Sequence, residues 1–390
     1  MHEDDRNARP AVLVVELHVV IGGQMRHRSP LSSRLRHIGH AVSDGSWDAC
    51  PSNCYSGLGL EDRMGRLPRV VAVALVASLQ CIGPVLSQDW PTRPVTMVVP
   101  FAAGGPADTV GRILASSLSE LLGQQVIIEN VGGSGGMTGS ARVAKAAPDG
   151  YQFVLGNVGT HAANQTFYKT PLYNAATDFA PVMLIAQTPL VLLARKDLPA
   201  NNLKEFIAYA KANQASMQYG SGGAGSASHL ACVLLNAAIG INVTHVPYRG
   251  AAPAMQDLIA GRIDYQCPDT PIAIPQIQSK MVKAIAILTR DRSPSLPSQA
   301  SAHEQGLTNF DASNWFASFF PKGTSAAIVD RLHAATLATI NTPAVQTRMR
   351  EIGADLVAGE LSSPDYLQKF VEAEIEKWAG PIKASGVSMD

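Results

Sequence analysis

The chain has 390 residues, 46% of them hydrophobic and 16% charged, with 31 basic and 31 acidic side chains. That length suffices for two domains with their own cores. The balanced charge leaves no electrostatic footprint for nucleic acid, and no apolar run reaches the roughly 18–20 residues needed to span a bilayer.

The first 88 residues read differently from the rest. Residues 64–87 have the layout of a secretory signal: a positive region of Arg63, Arg66 and Arg69 ahead of an apolar run from Val70 to Leu79, then Val85 and Ser87 placed for cleavage before Gln88. A signal belongs at the start of a chain, so Met64 is expected to be the initiator and 1–63 an extension that is non-native or disordered. The extension holds Cys50 and Cys54 in "CPSNC", with no second pair to complete a metal site. The expected location of the exported part is the periplasm.

From Gln88 onward strand and helix patterns alternate. "PVTMVVPF" reads as a strand, and "DTVGRILASSLSELLG" as a helix with an apolar stripe at 110, 113, 114, 117/118 and 121, stopped at Gly123. "QQVIIEN" is a strand, "GMTGSARVAKAAPDG" a small-residue helix and "YQFVLGN" a strand. "DFAPVMLIAQTPLVLLAR" makes two strand-like runs hinged at Pro189. A helix capped by Asn202 follows, then "MQYGSGG" as strand into turn, the helix "ASHLACVLLNAAI", the strand "NVTHVPY", the helix "AAPAMQDLIAGRID" and the strand "MVKAIAILT". Helices are expected near 325–341, 343–353 and 363–385. This alternation predicts an α/β fold of parallel sheets covered by helices, in two lobes: 88–193 with 316–390, and 194–315.

Four strand-to-helix turns are rich in Gly, Ser and Thr: 104–109, 132–139, 156–161 and 220–228. In such sheets ligands bind at these turns, and a helix beginning offers unpaired N–H groups with a partial positive charge. Two such beginnings facing each other would hold a small anion without any Arg. Asp108 would repel that anion, so its carboxylate is expected to cap the amides of its own loop. Thr109, Thr160, Ser226 and His229 are candidate donors, with ligand contact and packing equally open for His229. Tyr248 and Arg249 stand at the end of a strand where they would close one side, Arg249 being otherwise a solvated charge.

Enzymatic readings are weaker. Gly220-x-Gly222-x-x-Gly225 has the form of a dinucleotide fingerprint, but no Asp or Glu lies between Ser221 and Gln256 to hold a ribose. "GGSGG" at 132–136 matches the G-x-S-x-G of a secreted α/β hydrolase, the alternative reading, with His303 and His333 as the available bases. The His spacing matches no zinc motif, and no metal or cofactor is expected. Cys232 and Cys267, the two cysteines of the exported part, would pair in an oxidising compartment or sit apart as small buried hydrophobes; the unpaired reading is the one adopted.

Six stretches in order, "WPTRPVTMVVPFAAGGPADTVGR", "ENVGGSGGMTGSARVAKAAPDGY", "GNVGTHAAN", "YGSGGAGSASHLACVLL", "VPYRGAAPAMQDLIAGRID" and "WFASFFPKGT", resemble the Bug family of periplasmic solute receptors, the extracytoplasmic subunits of tripartite tricarboxylate transporters. The resemblance covers residues 89 to about 388. It implies a two-lobed type II periplasmic-binding fold crossed twice by the chain, no enzymatic activity, and a monomer that closes on a small organic carboxylate. One lobe is implied to contribute Phe101, Ala103, Gly104, Asp108 and Thr109, with Asn157, Thr160 and His161. The other is implied to contribute Ser221, Gly222, Ser226 and His229, then Tyr248, Arg249, Asp269 and Thr270. Delivery is implied to be to the large and small membrane subunits of such a transporter, or the receptor is an orphan. Ala251, Ala252 and Cys267 depart from the family pattern near the expected pocket wall.

Overall fold

The computed structural model describes residues 90–390 apart from 309, 358, 387, 389 and 390; the expected extension and signal peptide lie outside the described residues. The first strand β1 (Val95–Val99) leads into helix α1 (Pro106–Leu122). Then come β2 (Val126–Asn130), α2 (Met137–Ala144), β3 (Gln152–Asn157) and the short α3 (Asn164–Phe167). A long strand β4 (Phe179–Pro189) is followed at once by β5 (Val191–Arg195). Next are α4 (Leu203–Asn213), β6 (Gln218–Ser221), α5 (Ala227–Ile239), β7 (Thr244–Pro247), α6 (Ala251–Ile259), β8 (Tyr265–Gln266), α7 (Thr270–Gln278) and β9 (Val282–Ile287). The chain closes with β10 (Ser313–Pro321), α8 (Ala326–Ile340), α9 (Pro343–Glu351), β11 (Asp355–Leu356) and α10 (Pro364–Ser385).

The strands form two sheets, ordered β11-β4-β10-β3-β1-β2 and β7-β6-β8-β5-β9. The chain therefore crosses between sheets twice, at Leu190 between β4 and β5 and again between β9 and β10. This is the two-lobed, twice-crossed architecture expected. One expectation needs correction: the sheets are mixed rather than parallel. β10 runs antiparallel to both β3 and β4, and β5 antiparallel to β8 and β9. The antiparallel strands include those that carry the chain across; they enter a sheet from the other lobe rather than through a right-handed βαβ turn, so their direction is reversed.

Each sheet is apolar on both faces, as a sheet covered by helices must be. In β1, Val95, Met97 and Val99 join one core while Val98 points to the other; in β5, Leu192 and Ala194 separate from Val191 and Leu193 in the same way. Helix α1 shows why the pattern works. Pro106 occupies its first position, where no N–H is needed. Val110, Ile113, Leu114, Leu118 and Leu122 lay a buried stripe on the first sheet. Gly123 ends it in the left-handed region at φ 68°.

Cys232 of α5 and Cys267, just after β8, are joined in a disulfide, their Cα atoms 5.7 Å apart. This overturns the unpaired reading. The two residues are 35 apart in sequence and showed no spacing signal, but the fold seats α5 against β8, and both sulfurs are buried there.

Candidate ligand-binding site

The glycine turns of the two sheets meet one another. A Cβ on Gly135, in the turn after β2, would overlap the Ala224 carbonyl in the turn after β6; one on Gly159 would stand 2.7 Å from Gly225 O, and one on Gly132 2.8 Å from Arg249 O. The Ala102 N–H donates to Arg249 O at 3.1 Å and Tyr168 Oη to Ala224 O at 3.0 Å, both across the same seam. Much of the glycine content is thus explained by the close approach of two backbones, which only a missing Cβ allows.

Inside this seam lies a cavity of about 20 Å³, room for about one water molecule. The beginnings of α1 (Pro106, Ala107) and of α5 (Ser226, Ala227, Ser228) both border it, with Phe101 and Phe316 as apolar walls. Amides in the first turn of a helix have no intrahelical acceptor, and the residues that carry them here, Ala107 of α1 with Ala227 and Ser228 of α5, border the cavity. Asn157 adds a side-chain donor. Its Oδ1 accepts the Thr160 N–H at 3.0 Å, and its Nδ2 has no partner among the described residues. Asp269 completes the wall: its Oδ1 accepts from Thr188 Oγ1 at 2.9 Å and Asn314 Nδ2 at 2.6 Å. Asn314 is held in that orientation because its Oδ1 accepts the Val158 N–H. Burial pushes the Asp269 carboxyl up to about 6, against hydrogen bonds from Asn314, Thr188 and its own backbone N–H that favour the charged form.

Of the sixteen residues expected at the site, Phe101, Asn157, Gly222, Ser226 and Asp269 line the cavity. The others are placed elsewhere, for identifiable reasons. Ala103 and Gly104 are exposed, and the Gly104 N–H is occupied at 2.9 Å by Asp108 Oδ2. Asp108 is the cap that its position suggested. Burial opposes its charge, but hydrogen bonds from Arg112, Gly104 and Asn130 outweigh it and hold the carboxyl below the usual range. Thr109 spends its hydroxyl on Gly105 O. Thr160 is tied to Asn157 and His161. His161 is buried and stacked on Phe319 at 4.0 Å; burial lowers it to about 3, so it is a neutral core ring. Ser221 bonds His245 Nε2 at 2.7 Å and the Gly223 N–H. His229 accepts the Gly225 N–H and packs on His245 at 4.1 Å; burial, then His245, lowers it to about 3. Tyr248 donates to Asp257 and Arg249 is exposed. Thr270 bonds Gly353 O at 2.7 Å.

Pro106, Ala107, Ala227, Ser228, Ala251 and Phe316 border the cavity without having been expected there. They carry no chemical signature; five of them stand at helix beginnings, and Phe316 is an apolar residue of β10. The hydrolase alternative finds no pair to act with. The Ser134 hydroxyl has no partner among the described residues, and His303 and His333 face the Thr308 and Ser362 carbonyls.

Residues 110–387 match the family described as tripartite tricarboxylate transporter family receptor, TctC. The chain belongs to this family of solute-binding receptors. Among solved structures it is similar to the periplasmic binding protein BugD, with 40% identity and a TM-score of 0.75 over 77% of this chain and all of that one. It is also similar to MatC from Rhodopseudomonas palustris with bound malate, at 38% identity and TM-score 0.74, covering 75% of this chain and all of that one. A second R. palustris protein, solved with adipate, shares 37% identity at TM-score 0.74, covering 77% of this chain and 99% of that one.

Proposed function

We propose that this protein is a periplasmic receptor that captures a small organic carboxylate between its two lobes, without catalysis, for uptake by the membrane subunits of a tripartite transporter. The observation that carries this reading is the cavity at which two helix beginnings and the free Asn157 amide converge with no cationic side chain in its wall. Such a wall suits an anion held by neutral donors and helix dipoles. Malate and adipate on the related R. palustris proteins are ligands of this chemistry. A cavity of about 20 Å³ is too small for either acid, so capture involves parting the lobes, the two crossings serving as the hinge. Export by the signal at 64–87, with a mature chain from Gln88 that acts as a monomer, completes the proposal.

The test is thermal-shift screening of the exported form against mono-, di- and tricarboxylates, amino acids and nucleotides. A ligand present at a hundred times its Kd adds about 2.7 kcal/mol, a plain rise in Tm. A rise with one or more organic acids is expected. A rise with nucleotides alone, or with nothing, would overturn the reading.

A further inference from the structure

Asp269 is the one ionisable residue in the cavity wall, and it is an acid where an anion is to be received. It is 3% exposed. Its side-chain donors, Thr188 and Asn314, both bind Oδ1, and the remaining hydrogen bond that favours its charge comes from its own backbone N–H. Although Asp269 stands at the N-cap position of α7, its side chain does not cap that helix. The surrounding charges are committed elsewhere. Strands β4 and β10 and helix α7 contain no ionisable residue. On α1, Asp108 and Arg112 are paired at 2.8 Å. On β5, Arg195 is bonded to Asp197 and Asp264; on α6, Asp257 binds Arg262 and Tyr248. His229 of α5 is neutral, and no charged group contributes to the state of Asp269.

Two carboxylates meeting in so dry a place cannot both stay charged; they share a proton instead. We propose that Asp269 receives the bound acid as a neutral carboxyl, with Oδ2–H donating to a carboxylate oxygen of the ligand. Binding therefore takes up one proton from solvent, the ligand remains an anion, and no covalent bond of ligand or protein backbone changes. This inference rests on the receptor reading and deepens it: the site selects acids that reach Asp269 with a carboxylate, and it holds them more tightly in acid. Burial, which already raises this group to about 6 in the empty protein, makes the uptake accessible near neutral pH. The linkage has a definite sign. Above the pKa of the free group, affinity falls by up to about tenfold per pH unit; below it, affinity levels off and then falls again where the ligand's own carboxylates take up protons.

Isothermal titration of the exported protein with malate, adipate and succinate, in phosphate and in Tris at pH 8, reads proton uptake directly from the difference in heats. Uptake approaching one proton per ligand is expected, with weakening from pH 7 to 9. Asp269→Asn replaces the proton by an amide donor and should abolish both the uptake and the slope. No uptake by the wild-type protein, with binding intact, would overturn the proposal and indicate a ligand that brings its own donor to Oδ2. A slope that survives in Asp269→Asn would overturn it too. Failure of all three acids to bind at every pH from 5 to 9 would count against the receptor reading instead.

Discussion

The two helices that border the cavity, α1 and α5, present the same kind of beginning, yet each is held in place differently. The α1 turn is fixed by charge: Asp108 takes the Gly104 amide, Asn130 and Arg112 on one carboxylate. The α5 turn is fixed by neutral groups, with Ser226 accepting the His229 N–H, Ser228 the Gly222 N–H and His229 the Gly225 N–H, and by a covalent tie from Cys232 to Cys267. Three donors turn the Asp108 carboxylate away from the cavity, which would let it stand beside a bound anion. The lobe that already places Asp269 in the wall uses no second charge. The comparison teaches that the amides presented to a ligand are few. Most loop amides are spent on keeping the loops in shape.

The comparison can be broken most severely at the disulfide. With its ends 35 positions apart in sequence, its removal in Cys232→Ala/Cys267→Ala should cost about 3–4 kcal/mol, seen as a lower urea midpoint; an unchanged midpoint would show that the tie is not what holds α5. Next is the seam that both turns depend on. Gly135→Ala brings a Cβ onto the Ala224 carbonyl whenever the lobes touch. We expect affinity for the organic acid to fall by about 1–3 kcal/mol, an overpacking cost, beyond the loss of about 1–2 kcal/mol in stability that the left-handed φ of 59° at this position costs any alanine; titration calorimetry and urea midpoints separate the two. Asp108→Ala orphans three donors and should destabilise by about 1–3 kcal/mol. Because the Asp108 carboxyl lies below its ordinary value, its contribution is present above about pH 4 and lost as pH falls further. The difference between variant and wild type should therefore shrink in urea melts as pH is lowered from about 4. Ser226→Ala, a neutral cap, should cost only about 1 kcal/mol by thermal melt, and that loss should be independent of pH.

The last effect is a slope. Burial holds His161 and His229 at about 3 and His245 at about 4, each below the unfolded value near 6.5. Their folded pKa values are depressed, so stability is full above about pH 6.5 and declines as pH falls from there toward the folded values. His245→Gln should make the decline between pH 6.5 and 4.5 shallower, read from urea midpoints at successive pH.

Much of this was legible in the residues. The stripe of α1, its stop at Gly123, the caps at Asn202 and Ser226 and the break at Pro189 are local patterns, and local patterns survive folding. Asp108 was legible as a cap because a carboxylate four residues after a glycine turn has few other uses. What the sequence concealed depends on which turns meet. His161 and His229 looked like donors at a site, but the π turn at Gly159–Ala163 and the first turn of α5 direct their rings into the core. Ala107, Ala227 and Ser228 contribute main-chain amides, which no side-chain identity reveals. Sheet direction was concealed as well, since nothing in β10 itself records that it returns from the other lobe.

Asp269 is tethered by Thr188, one residue from the end of β4 where the chain leaves the first sheet, and by Asn314, the second residue of β10 where it comes back. A point near a pivot sweeps through a short arc, so this oxygen keeps nearly the same address whether the jaws gape or shut. An arriving molecule would thus be vetted at the axle first and clasped at the rim second.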